Sequence, residues 1–289
     1  MFQISNEVLT VQISAAGAEL QSIINNENAL EYMWSGDPAF WGKKSPVLFP
    51  IVGGLKNGSY QHKGISYPLG RHGFARERVF TVRSHTTDSI RFSLVSDEST
   101  KEIYPFDFVF SVDYSLTNNR LTVKYIVENI GDETLLFSVG AHPAFKVPLV
   151  NGTDYDDYQL VFSNHETAGI YPLSAEGLIE KHTEPLLNNS NQIPLTKDLF
   201  AKDALVFKEL QSNYIGILNN QNSHGLKLHY TQFPFMGIWA AKNADFVCIE
   251  PWCGIADSVD ASGELADKEG INQLEPAHSF ERSWTVEVF

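Results

Sequence analysis

Polar and apolar residues alternate with a period of two over much of the chain. In residues 106–116, Phe106, Phe108, Phe110, Val112, Tyr114 and Leu116 share one parity, and Asp107, Ser111, Asp113 and Ser115 share the other. That is the pattern of a strand with one buried face. Asn118-Asn119 follow as a turn and residues 121–128 alternate again, so the two segments predict a hairpin. Further strands are predicted over residues 8–13, 79–84, 90–95, 135–140, 214–218, 226–230, 236–240, 246–250 and 280–289. Asp132-Glu133, Asn219-Asn220 and Lys242-Asn243 punctuate them as turns. Residues 37–41 and 258–267 read as short helical or turn segments, and no long amphipathic helix is evident. Many strands at hairpin spacing predict an all-β fold, a sandwich or a barrel. No fixed-period repeat or low-complexity tract divides the chain, so residues 1–289 read as one domain. The Asn-rich segment 187–194 reads as a surface loop.

Composition agrees with this. Hydrophobic residues make up 43% of the 289, enough for a sizeable core, and the 12% of aromatics favours pleated surfaces. The formal net charge of -14 repels phosphate backbones and anionic lipid. Nucleic acid and membrane are therefore poor partners, and a neutral small molecule is a better one. Met1–Glu7 has no basic, apolar leader pattern, and no stretch approaches the ~20 apolar residues of a membrane span. The two cysteines, Cys248 and Cys253, imply no disulfide framework and lack the neighbours of a zinc site, so a cytoplasmic setting without a metal is expected.

Three segments concentrate residues that carry chemistry. Gly70-Arg71-His72-Gly73-Phe74-Ala75-Arg76 places glycines around a histidine, with two arginines as donors. It reads either as a ligand-approaching loop or as a turn with solvated basic side chains. In Gly140-Ala141-His142-Pro143-Ala144-Phe145, the proline pushes His142 towards an extended conformation at a strand end. His142 is then a site residue or a satisfied core histidine. In Phe246-Val247-Cys248-Ile249-Glu250, strand parity aligns Glu250 with Phe246 and Cys248. A carboxylate among apolar side chains needs a cation, a donor or a ligand, so Glu250 is a site candidate or half of a structural ion pair.

In that order, His72-Gly73-Phe74-Ala75-Arg76, Gly140-Ala141-His142-Pro143-Ala144-Phe145 and Ile249-Glu250-Pro251-Trp252-Cys253-Gly254 resemble the aldose 1-epimerase (galactose mutarotase) family, and within it the LacX-like branch. Gly17-Ala18-Glu19-Leu20, Trp41 to Gly53 and Asp203-Ala204-Leu205-Val206-Phe207 add to the resemblance, which covers essentially the whole chain. It implies a large galactose mutarotase-like β-sandwich (supersandwich) that interconverts sugar anomers. It assigns Glu250 as base, His142 as acid, His72 to the ring oxygen and Asp203 to sugar hydroxyls. The Asn-Arg pair that typical members carry before the first histidine is missing; Arg76 is the expected substitute, with Arg71 beside it. Phe145, Phe235 and Trp239 are candidates to stack on the sugar or to fill the core. With ordinary pKa values near ~4.3 and ~6.5, a carboxylate accepts the C1 hydroxyl proton and an imidazole donates to the ring oxygen, without metal or cofactor.

The expected substrate is a free hexose of the galactose or glucose type. The cluster Arg71, Arg76 and Arg78 keeps a hexose 6-phosphate open. A binding protein without turnover remains an alternative, and a two-carboxylate glycosidase is a weaker one. The oligomeric state is not expressed in the sequence.

Overall fold

The computed structural model describes residues 1–289. The alternating segments form a nine-stranded antiparallel sheet. Its order is Glu184–Pro194, Tyr158–Ile170, Tyr214–Asn219, Leu226–His229, Ser279–Val288, Arg120–Asn129, Phe108–Thr117, Ser89–Val95 and Thr81–His85. The expected hairpin closes in register Thr117↔Arg120, with Asn118 at φ 52°. Along Phe108–Thr117 the apolar parity is buried, while Asp113, Ser115 and Thr117 face outward.

A second sheet of five strands packs on the first. Phe246–Cys253 lies at its centre. Val139–Gly140 and Ala144–Lys146 pair on one side, Phe235–Trp239 on the other, and Leu205–Lys208 beyond it. A continuous core of 72 buried residues joins the sheets. Phe162 of the large sheet meets Phe207 of the small one edge to face, with ring centroids 6.2 Å apart. A three-stranded sheet, Phe2–Ser5, Leu9–Ile13 and Leu20–Asn25, and two two-stranded ribbons complete the molecule. The α-helical content is a single turn, Glu98–Lys101, and no helix is long and apolar enough to cross a membrane.

One expectation fails. Residues 187–194, read as a loop, belong to the edge strand Glu184–Pro194, which pairs with Tyr158–Ile170 through several register shifts. Those shifts interrupt the period-two pattern, and an edge strand carries polar residues on both faces. Only Leu187 and Ile193 turn into the core.

Every residue of Phe246–Cys253 is buried, because both faces of this central strand are covered. Val247 and Ile249 join the core on one face, whereas Glu250 and Trp252 lie on the face that opens into a cavity.

Candidate functional site

The ladder beside Phe246–Cys253 is interrupted where the chemistry sits. Gly140 pairs with Trp252 and Ala144 with Cys248, so residues 141–143 bow out opposite residues 249–251. Two flanking bonds keep the register: Ala141 N–H donates to Pro251 O at 3.0 Å, and Ile249 N–H to Pro143 O at 3.4 Å. His142 therefore faces Glu250 directly. Its Nε2 lies 3.3 Å from Glu250 Oε2, with 8% and 2% of the two residues exposed. Facing residues on neighbouring strands are the pairs whose side chains meet.

Two glycines make room for the next residue on that face. Gly237 is in register with Glu250, and Gly140 with Trp252. A Cβ on Gly237 would come within 2.3 Å of the Trp252 ring, and one on Gly140 within 2.6 Å. The indole lies across both positions. Its Nε1–H is buried beside Glu250 without full hydrogen-bond geometry, yet it is the one neighbouring donor that favours the carboxylate.

The pair stands at the floor of a cavity of about 530 Å³, inside the range of small-molecule sites. His72, Arg71, Arg76, Asp203 and Trp239 all line it, as does Trp41. His72 sits at φ 67°, donates its N–H to Gly53 O at 2.8 Å and accepts the Gly53 N–H on Nδ1 at 3.1 Å. An accepting Nδ1 leaves the proton on Nε2, so His72 is a neutral donor. Asp203 holds φ 141°, a value that L residues avoid and that recurs at ligand clamps, and its Oδ1 accepts the Ala204 N–H at 2.7 Å. Arg76 donates to the Arg71 carbonyl at 2.9 Å, leaving Nε buried without a hydrogen-bond partner.

Three expectations are corrected. Phe145 does not reach the cavity: it is fully buried, pairs with Val247 and belongs to the core, since Ala144–Lys146 carries it on the inward parity. Arg78 turns away, bonding Ser99 Oγ at 2.9 Å and lying over the Phe74 ring. Phe235 packs in a small cluster with Trp252 and does not line the cavity. Conversely, Trp41, Lys202 and Trp252 line the cavity without having been singled out. Trp41 and Trp252 lay inside motifs already noted, whereas Lys202 gave no signal beyond its place before Asp203.

The electrostatics depart from ordinary values. Burial raises the Glu250 pKa well above the usual carboxylate value; Trp252 opposes the shift and the Asp203 charge adds to it. Burial pushes the His142 imidazole down to about 3; its own backbone carbonyl opposes this and the Arg76 charge adds to it. His72 is lowered as well, by burial first and then by His142, Arg76 and Arg71. The uncharged forms of both groups are thus favoured, because desolvation penalises whichever form carries charge.

His142, Cys248 and Glu250 offer nitrogen, sulfur and oxygen atoms within 4.8 Å of one another. Burial first, and then the Glu250 charge, raises the Cys248 thiol pKa well above its ordinary value, so without a metal it is the neutral thiol. His142 Nε2 and Glu250 Oε2 are also engaged with each other. The direct contact of the two groups suits proton transfer within the pair.

The profile of a family described as aldose 1-epimerase matches residues 1–268. Protein LacX (chromosomal) of Lactococcus lactis subsp. lactis is 32% identical, covering 99% of this chain and 98% of its own. A crystal structure of a galactose mutarotase related enzyme from Lactobacillus acidophilus superimposes with a TM-score of 0.96 at 38% identity, over 100% of this chain and 97% of that one. A galactose mutarotase-like protein from Lactobacillus casei superimposes with a TM-score of 0.94 at 28% identity, over the full length of both chains.

Proposed function

The chain belongs to the aldose 1-epimerase family, and from that footing we propose that it interconverts the α and β anomers of a free hexose, with Glu250 and His142 as its proton carriers. The observation that supports this reading most is the 3.3 Å contact of the two groups at the floor of the cavity. The oxygens that must lose and gain protons in a hemiacetal, the C1 hydroxyl and the ring oxygen, sit on one carbon. A base and an acid that serve them have to be neighbours.

The pair holds one proton. Moving it from Glu250 to His142 creates carboxylate and imidazolium with no exchange with solvent. The carboxylate takes the C1 hydroxyl proton, the imidazolium gives its proton to the ring oxygen, and the C1–O5 bond breaks to leave an aldehyde. Glu250 is then a carboxylic acid and His142 a neutral imidazole. That is the distribution the dry site favours, so the fold stabilises the open-chain sugar relative to the ion pair. After rotation about C1–C2, the carboxylic acid protonates the carbonyl oxygen while His142 takes the hydroxyl proton and the ring closes on the other face. His72 Nε2–H, Arg76 and Asp203 are placed to hold hydroxyls, and Trp239 offers an apolar wall.

Polarimetry on freshly dissolved α-anomer tests the proposal. Wild type accelerates mutarotation, and Glu250→Gln lowers kcat by about 10²- to 10⁴-fold while sugar binding stays within about tenfold. No acceleration over buffer with any hexose refutes it. Equal binding without turnover in both proteins leaves a carbohydrate-binding protein.

A second reading, a phosphorylated hexose, draws on Arg71, Arg76 and Lys202, three cations on the cavity wall. Anomerisation of glucose 6-phosphate in preference to glucose, lost in Arg71→Ala and Lys202→Ala, selects it.

A further inference from the structure

Trp41, half-buried just after the exposed turn 38–40, has no part in the proton-transfer scheme, yet the segment around it is pinned. Trp34 Nε1–H donates to the Trp41 carbonyl at 2.9 Å. The buried Glu19 carboxylate, in a motif that the site has not otherwise absorbed, accepts the N–H groups of Lys44 and Ser45 at 2.8 and 3.0 Å. The Lys44 carbonyl accepts from Ala144 N–H at 2.8 Å, two residues past His142. These bonds tie the turn to the histidine loop.

The consequence is an indole laid over His142, with ring centroids 4.9 Å apart and planes 28° apart. The same indole stacks on Phe246 at 5.6 Å and meets Trp239 edge-on at 5.5 Å. The other aromatic neighbours of His142, His72 and Trp239, stand nearly perpendicular to it, at 82° and 84°. An aromatic face carries negative partial charge and attracts a cation, tryptophan most strongly and most of all where water is excluded. A neutral imidazole gains only stacking from the same contact.

We infer that Trp41 is the positioning residue for the His142 proton: its face holds the imidazole against Glu250 and favours the imidazolium over the neutral ring. The inference rests on the mutarotase reading of the pair. The groups facing His142 are Glu250, which supports positive charge, Cys248 on the same strand, His72, and Arg76, which opposes it. His72 is neutral by its bond to Gly53, and Cys248 is protonated, so neither supplies counter-charge. Trp41 is therefore, beside the Glu250 carboxylate, the remaining support for the imidazolium before it gives its proton to the ring oxygen.

Trp41→Leu and Trp41→Phe test this by two measurements: kcat and KM for anomer exchange across pH, and the ¹³C NMR titration of the His142 ring in the sugar-free protein. In Trp41→Leu, kcat falls about tenfold with a smaller change in KM. His142 titrates lower by about one pH unit, while the alkaline limb of the kcat profile, which reports loss of the pair's proton from Glu250, stays in place. Trp41→Phe falls between. A Leu variant that keeps the wild-type His142 titration, however low its kcat, overturns the inference and leaves Trp41 as packing. Should the Leu variant not fold, an unchanged His142 titration in Trp41→Phe overturns it equally. The NMR comparison needs no turnover, so an inactive wild type refutes the mutarotase reading while the titration still decides the role of Trp41.

Discussion

Alanine at position 237 perturbs the arrangement that holds Trp252 beside Glu250. Its Cβ would stand 2.3 Å from two ring carbons of the indole, whereas non-bonded carbons settle at about 3.5–4.0 Å, so one of them must move by more than about 1 Å. The indole is 6% exposed, and its opposite end is stopped by Gly140, where a Cβ would lie at 2.6 Å. It has no free direction in the plane of the sheet. Overpacking of this kind costs about 1–3 kcal/mol. At roughly 2–4 °C per kcal/mol for a large domain, Tm falls by about 2–10 °C in scanning calorimetry. The function suffers separately. Displacing Nε1–H removes the neighbouring donor that favours the Glu250 carboxylate; short of full hydrogen-bond geometry it is worth about 1 kcal/mol, so kcat drops about fivefold in polarimetry. Adding Trp252→Phe to Gly237→Ala restores part of the Tm, because the ring is smaller, but none of the kcat, because the donor is gone. If Gly237→Ala melts and turns over like wild type, the indole does not lie where this reasoning needs it.

Three further outcomes follow from buried charge. Lys268 Nζ meets Asp257 Oδ1 at 2.7 Å with both side chains buried, and Asp257 Oδ2 also accepts the Lys56 N–H at 2.9 Å. Asp257→Ala leaves an unpaired buried ammonium and costs about 3–5 kcal/mol in urea denaturation; a loss below 1 kcal/mol contradicts the pairing. His142 has a folded pKa of about 3 against an unfolded value of 6.5, so the unfolded chain binds its proton first as pH falls. The stability associated with the neutral ring is complete above pH 6.5 and is lost between about 6.5 and 3, by up to about 1.4 kcal/mol per pH unit. His142→Gln removes that slope, and denaturation at pH 7 and pH 5 shows a smaller loss for the variant than for wild type. Glu250 acts in the opposite sense. Its raised pKa makes it cost stability as pH rises above 4.5, so Glu250→Gln gains on wild type towards neutral pH.

The chain itself was enough to place most strands of the nine-stranded sheet, because a strand with one wet face writes its parity into the residues, as Phe108–Thr117 does. It also marked His72, His142 and Glu250 as residues in unusual surroundings, and three ordered motifs tied them to a family. The edge strand Glu184–Pro194 stayed hidden because bulges break its period, and Lys202 because a surface lysine looks like any other. Only the tertiary structure decided that His142 faces Glu250 across an interrupted ladder, that Phe145 turns into the core while Trp41 takes a wall of the cavity, and that Arg78 leaves it. Parity is a local property, carried by successive side chains. Register, the choice of which buried face opens to a cavity, and the desolvation that shifts both proton carriers arise between segments far apart in the chain, and no local pattern encodes them.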